Sequence, residues 1–189
     1  PAAAAPLPAF RRFGTQVVDV ASPQSTVIFG QDGLPARDPD WEAAQIVLRI
    51  LSGGGFASRL MHAVRETRGL AYGIGAGLDL IFGEGVIIGS VATENARVAE
   101  TLRVTRDEWA RMAEQGPTEA ERADALAYLT GSMPLQFTDS RRIADTLLAL
   151  RRNDRPLDWL ANRPARLAAI DQPRLAVGQP VQRPVIAAQ

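Results

Sequence analysis

The 189-residue sequence has no cysteine and a single histidine, His62. A zinc site of four cysteines, of two cysteines and two histidines, or of two histidines and a glutamate needs at least two Cys or His ligands, so none can be assembled here. Lysine is absent too, since all 21 basic residues are arginine. A Walker loop, a pyridoxal Schiff base and a kinase strand each depend on a lysine, and all three are excluded. Arginine stays ionised at any working pH, so it binds anions and donates hydrogen bonds but shuttles protons poorly. Neither sign of charge is in excess: 21 basic residues meet 21 acidic ones, with a pI near 7.2. No domain-wide basic field therefore exists to draw the chain onto nucleic acid or an anionic membrane. Long apolar runs are missing, and no basic start precedes an apolar stretch, so neither a membrane span nor a signal peptide is expected in these residues. The lack of cysteine leaves both a reducing and an oxidising compartment open.

What is present suits one globular domain. The chain is 46% hydrophobic, and a domain of this length buries about 70% of the surface its unfolded chain exposes. Residues 1–12 are Ala/Pro-rich and read as an extended linker from a missing upstream domain; 13–180 read as a single domain and 181–189 as an irregular tail. Within the domain, β-branched runs predict strands at Thr15–Ala21 and Ser25–Gly30. Asp38 as N-cap and Pro39 at the first helical position predict a helix carrying Trp41, Ala44, Val47, Leu48 and Leu51 inward, stopped by Gly53-Gly54-Gly55. A second helix spans about Ala57–Thr67, with Gly69 placed to end it in the left-handed conformation.

Ala71–Phe82 alternates as a strand, with Tyr72, Ile74, Ala76, Leu78 and Leu80 on one face and Gly73, Gly75, Gly77 and Asp79 on the other. A turn at Gly83-Glu84-Gly85 leads into a strand at Val86–Ala92, which makes a hairpin. Thr93 or Asn95 is expected to cap a long helix carrying Val98, Leu102, Trp109 and Met112. Gly116-Pro117 breaks it, and Thr118 with Glu121 forms a capping box for a helix at about Glu119–Leu129. Asp139 caps another at Ser140–Arg152 that is expected to turn Ile143, Ala144, Leu147 and Leu148 inward. Leu157–Ile170 is helical but kinked or divided by Pro164, and Arg174–Gly178 reads as an edge or closing strand. Helices that are grouped rather than alternating with strands indicate α+β, a two-layer arrangement of a mixed or antiparallel sheet packed against those helices.

Most candidate sites have a structural explanation. Gly53-Gly54-Gly55 lies between two helices and lacks a lysine, so it reads as a structural break and not a phosphate loop. His62 could be joined to Ser52 or Ser58 in a nucleophilic arrangement, but no nucleophile motif surrounds either serine. Asp38 and Asp40 suit a helix start, and Trp109 and Met112 suit a core. Arg65 and Tyr72 remain, seven residues apart on either side of the Arg68-Gly69 turn. A helix reversing into a strand can bring a guanidinium and a phenol to the same end of the element pair. Together they offer convergent donors for a peptide carbonyl or a developing oxyanion, although an Arg on the surface and a Tyr at a core edge would satisfy the same spacing.

Three ordered segments, QSTVIFG (Gln24–Gly30), GGGFASRL (Gly53–Leu60) and VRETRGLAYGI (Val64–Ile74), resemble the C-terminal domain of the pitrilysin or insulinase-type zinc metallopeptidases. The likeness extends over about residues 15–170. It implies paired α+β domains enclosing a chamber for unfolded peptides, with zinc held by an H-x-x-E-H motif and a downstream Glu on the opposing half. A zinc-bound water, activated by that motif's Glu, would attack the scissile carbonyl. Arg65 and Tyr72 match the Arg and Tyr with which the family holds and polarises the substrate backbone across the chamber.

No metal is implied for this domain. Its implied partners are a peptide and a domain or subunit bearing H-x-x-E-H, as in the two-chain bacterial type. Alternatives are a purely structural or binding subunit of the same fold, or a fragment of a chain whose upstream domain carries the zinc motif. One departure stands out: the family places a helix before the closing strand, where Asp171-Gln172-Pro173 here reads as a direct join. Taken alone, the chain is expected to bind no catalytic zinc and to cleave no peptide. Metal analysis with a peptide-cleavage assay checks this, and zinc-dependent proteolysis by the chain alone would contradict it.

Overall fold

A computed structural model describes residues 14–81, 84–176 and 185–188. The linker read at residues 1–12 and the turn residue Gly83 lie outside the described residues. Four strands form one antiparallel sheet in the order β2-β3-β1-β4: β1 Gln24–Asp32, β2 Ala71–Ile81, β3 Glu84–Glu94 and β4 Val185–Ala188. Helices pack on one face, so the architecture is the expected two-layer α+β type. The inward residues Val27, Phe29, Ile74, Ile87 and Val91 meet Ile46, Val47 and Leu51 of α1 (Trp41–Leu48, extended by a π turn over Arg49–Gly53) and Leu102 and Trp109 of α3 (Val98–Gln115). Phe29 and Trp109 meet edge to face, with ring centroids 5.9 Å apart. On the outer face Ile28 and Ile88 are exposed.

The expected hairpin is formed by β2 and β3. The strand expected at Thr15–Ala21 is not: residues 14–22 join no ladder, and Val17, Val18 and Val20 are exposed. β1 is flanked by β3 and β4, so neither of its edges is open to this segment. The fourth strand is Val185–Ala188, which lies in the stretch read as an irregular tail, and not Arg174–Gly178. Gln172–Ala176 is instead the short helix α8, because the Asp171 carboxylate accepts from the Arg174 N–H at 3.1 Å with Pro173 in the first turn. A helix before the closing strand, as the resemblance implies, is therefore present and starts at Asp171-Gln172-Pro173.

α1 begins two residues later than expected, at Trp41, after Asp38 accepts from the Asp40 N–H at 2.8 Å. Neither Thr93 nor Asn95 caps α3. The Thr93 hydroxyl donates to Leu70 O at 2.7 Å, and Asn95 donates to Ser22 O and accepts from Ser25, both at 2.8 Å. Both side chains tie strand ends together, and a 3-10 turn over Asn95–Arg97 leads into the helix. The α4 helix, Glu119–Gly131, carries the expected capping box, and Asp139 caps α5, Ser140–Arg152. α5 keeps its amphipathic pattern, but Ile143, Ala144, Leu147 and Leu148 are exposed and Leu150 alone is buried, since no described element covers that face. The proline-bearing segment is divided into α6, Asp158–Ala161, and α7, Arg163–Ala168.

Two ionic ties join the helical layer. Buried Glu42 of α1 accepts from Arg163 at 3.2 Å and Arg166 at 3.3 Å, linking α1 to α7. The Arg59 guanidinium grips Glu121 through two 2.6 Å bonds and donates to Gly116 O at 3.1 Å. These hydrogen bonds from Arg59, aided by the Thr118 N–H and hydroxyl, outweigh burial and lower the Glu121 carboxyl to about 2. A carboxylate lowered on folding stabilises the native state fully above its unfolded value, near 4.3, and loses that contribution as pH falls through the folded value. Denaturant midpoints of wild type should therefore fall between about pH 4.5 and about pH 2, whereas Glu121→Gln is less stable at neutral pH and flatter across that window. Parallel curves would contradict this account.

Candidate functional site

The site is built where helix reverses into strand. α2 starts at Arg59–Met61, with the Ser58 hydroxyl accepting from the Met61 N–H, and widens into a π turn over His62–Glu66 that contains Arg65. Such widened turns recur at functional sites. Gly69 ends the helix at φ 60, donating to Arg65 O at 2.9 Å while Leu70 donates to Val64 O at 2.8 Å. The turn is held from outside by Arg97, which donates to Gly69 O at 2.8 Å, and by Arg68, which donates to Ala63 O at 2.9 Å.

β2 then departs from simple alternation. Ala71 pairs with Thr93 and Ile74 with Val91, so two residues, Tyr72 and Gly73, face one residue of β3 in a β-bulge. Ala71 and Ile74 both point into the core, and Tyr72 is turned out to 84% exposure. The expectation that Tyr72 shares a face with Ile74, Ala76, Leu78 and Leu80 is thus corrected by the bulge, which re-aims one side chain. The Ile74 N–H lies 3.4 Å from Met61 Sδ, a weak acceptor on the preceding helix.

Arg65 and Tyr72 are brought together. The Arg65 guanidinium lies over the Tyr72 ring at 4.5 Å and over the Phe56 ring at 4.4 Å. Among the described residues, no carbonyl or carboxylate accepts from Arg65, and the Tyr72 hydroxyl has no hydrogen-bond partner. A guanidinium with five donors and a phenol with one therefore stand together at an exposed edge. Phe56 was not singled out from the sequence; its place in GGGFASRL, next to a left-handed Gly55 at φ 56, was the available signal.

The other candidates are accounted for by structure. His62 is exposed and lies 3.1 Å from Glu66. Ser52 Oγ is within 2.7 Å of Ala76 O and 3.2 Å of Leu48 O, and Ser58 Oγ donates to Gly55 O at 2.8 Å. Both hydroxyls serve the backbone and neither is poised against His62. Gly53-Gly54-Gly55 joins the end of α1 to a 3-10 turn at Gly55–Ala57. Trp109 and Met112 are core residues, and Asp40 pairs with Arg174 at 2.7 Å.

Among the described residues, no group of three or more His, Cys, Asp and Glu is arranged to hold a metal. Likewise, among the described residues no helix is long and apolar enough to cross a membrane. A separate open cavity of about 250 Å³ is lined in part by Trp41, Gln45, Arg155, Trp159 and Arg163. Arg155 stacks on Trp159 at 3.9 Å and Trp41 at 5.3 Å, and burial is the main cause of its lowered guanidinium pKa.

The fold is a two-layer α+β domain, and a guanidinium and a phenol stand together where its α2 reverses into β2. A family model described as the peptidase M16 inactive domain matches residues 4–129, more than half of the chain, and the chain belongs to that family. An uncharacterized zinc protease of Mycobacterium tuberculosis is 41% identical over 106 residues, which are 56% of this chain and 24% of that protein. A non-peptidase homolog of Helicobacter pylori is 32% identical over 94 residues, 48% of this chain and 21% of that one. The chain spans about a quarter of the length of these curated relatives. Among solved structures, a peptidase M16 inactive domain from Pseudomonas fluorescens superposes with a TM-score of 0.80 at 28% identity, covering 96% of this chain and 46% of that chain. These findings agree with the resemblance carried by the three sequence motifs.

The geometry depends on the left-handed residue at the reversal. A Cβ at Gly69 would meet nothing within 4 Å, so a substitution there is opposed by backbone conformation alone. Gly69→Ala should cost about 1–2 kcal/mol and Gly69→Asn less, as read from urea midpoints. Wild-type stability in Gly69→Ala would contradict the reversal described.

Proposed function

We propose that this chain is the zinc-free, substrate-binding domain of a peptidase of the M16 family. Arg65 and Tyr72 donate hydrogen bonds to the backbone of a bound peptide. In this reading the zinc is supplied by an H-x-x-E-H domain elsewhere in the same polypeptide or on a separate chain, in keeping with the single histidine here. The observation that carries the proposal is the pair of unengaged donors at the end of α2 and the start of β2, held together at 4.5 Å. Unlike His62, Ser52, Ser58, Asp38 and Asp40, their side chains have no hydrogen-bonding role within the described fold.

The chemistry assigned to this chain is orientation and electrostatic stabilisation. A planar guanidinium and a phenol, fixed on a helix end and a bulged strand, would meet a carbonyl oxygen without reorganising, and would bind it more strongly as negative charge develops on it. A guanidinium donates hydrogen bonds without giving up a proton, so this contribution needs no proton transfer. Proton transfer and nucleophile activation are left to the zinc-bearing partner.

The Helicobacter pylori relative, named a non-peptidase homolog, favours a second reading in which the fold serves assembly alone. The readings separate on the assembled protein. Arg65→Ala and Tyr72→Phe should each lower peptide turnover by about 100-fold to 1000-fold, with the circular dichroism spectrum and the zinc content of the assembly unchanged. Unchanged turnover in both variants would return the pair to a structural role, and an assembly without an H-x-x-E-H partner would favour the second reading.

A further inference from the structure

We infer that Phe56 is a positioning residue, which holds the Arg65 guanidinium beside Tyr72 in the orientation that meets a peptide carbonyl; this rests on the substrate-holding reading of Arg65 and Tyr72. Phe56 is 61% exposed and contributes nothing to the buried core. Its ring instead offers a face to the Arg65 guanidinium at 4.4 Å. Arg65 has no acceptor among the described residues. An arginine side chain in that state would sample many rotamers, and each would have to be lost when a peptide binds. Stacking on two aromatic rings restricts those rotamers beforehand and leaves the N–H donors unused.

The segment carrying Phe56 is anchored to the same scaffold as Tyr72. Ser52, at the end of α1, reaches Ala76 O of β2 at 2.7 Å. Arg49 donates to Gly53 O, and Ser58 closes the turn by donating to Gly55 O at 2.8 Å. Gly54 is confined as well: a Cβ there would lie 3.2 Å from Arg49 O and Ser58 N. With Gly55 in the left-handed region, this arrangement throws Phe56 outward over Arg65. The glycine run thus has a role that neither a phosphate loop nor a plain helix stop describes.

The test uses the 189-residue chain, with an uncharged, end-blocked dodecapeptide of Ala, Leu, Gly and Ser as the probe. The Arg65 Nε–H resonance should carry ring-current shifts from both rings in wild type, move and broaden in Phe56→Ala as the side chain leaves the Tyr72 face as well, and return to the wild-type position in Phe56→Tyr. Peptide affinity should follow, falling about threefold to tenfold in Phe56→Ala and returning in Phe56→Tyr, as expected for loss of one guanidinium–aromatic contact. An Arg65 resonance unchanged in Phe56→Ala would overturn the inference even if Arg65→Ala abolishes binding. Equal affinity in wild type and Arg65→Ala would instead contradict the substrate-holding reading, while the resonance would still decide whether Phe56 positions Arg65. A Phe56→Ala chain with a collapsed amide spectrum would be replaced by Phe56→Leu, which keeps apolar bulk but offers no aromatic face, with the same outcomes expected.

Discussion

The rest of the site depends on a single backbone reversal at Gly69. The left-handed residue ends α2, returns the chain as β2 and places Arg65 and Tyr72 at the same end of the two elements. Two further irregularities complete the geometry. The π turn over His62–Glu66 carries Arg65, and the bulge at Tyr72-Gly73 turns the phenol out of the core. Each irregularity gives up regular hydrogen bonding, and each lies within a few residues of the unengaged donors. Buried Thr93 and the external arginines Arg68 and Arg97 satisfy carbonyls around the turn, so the irregular backbone is supported on several sides.

Much of this architecture was legible in the sequence because its signals are local. Gly69 as a helix stop, Thr118 and Glu121 as a capping box, Asp139 as a cap and Pro164 as a divider act within one helical turn, and all four appear as read. What could not be read was set by partners distant in the chain. The segment at Thr15–Ala21 has strand composition, but β1, the strand it precedes, is already flanked by β3 and β4. Asp171-Gln172-Pro173 starts a helix, which leaves the closing position in the sheet to Val185–Ala188. The alternation of Ala71–Phe82 fails at Tyr72 because a bulge depends on the register with β3, which no property of β2 alone specifies.

The candidate site divides in the same way. Arg65 and Tyr72 were recoverable from their spacing across a turn and, more firmly, from the family resemblance. Phe56 was not, because a stacking contact between a loop and a helix has no sequence period. The buried Glu42, held by Arg163 and Arg166, was invisible for a similar reason, as its partners lie more than a hundred residues away. α5 shows the converse case: its apolar stripe is real, yet exposed in this chain. A periodic pattern reports that a face is apolar and says nothing of what covers it.

The central claim is that Arg65 and Tyr72 donate to the carbonyl of a bound peptide. Isotope-edited infrared spectroscopy of a peptide carrying one ¹³C=O label, bound in the assembled protein, tests this directly. The account predicts a carbonyl band moved to lower frequency on binding, with the shift reduced in Arg65→Ala and in Tyr72→Phe. A band at the same frequency in wild type and both variants would contradict it.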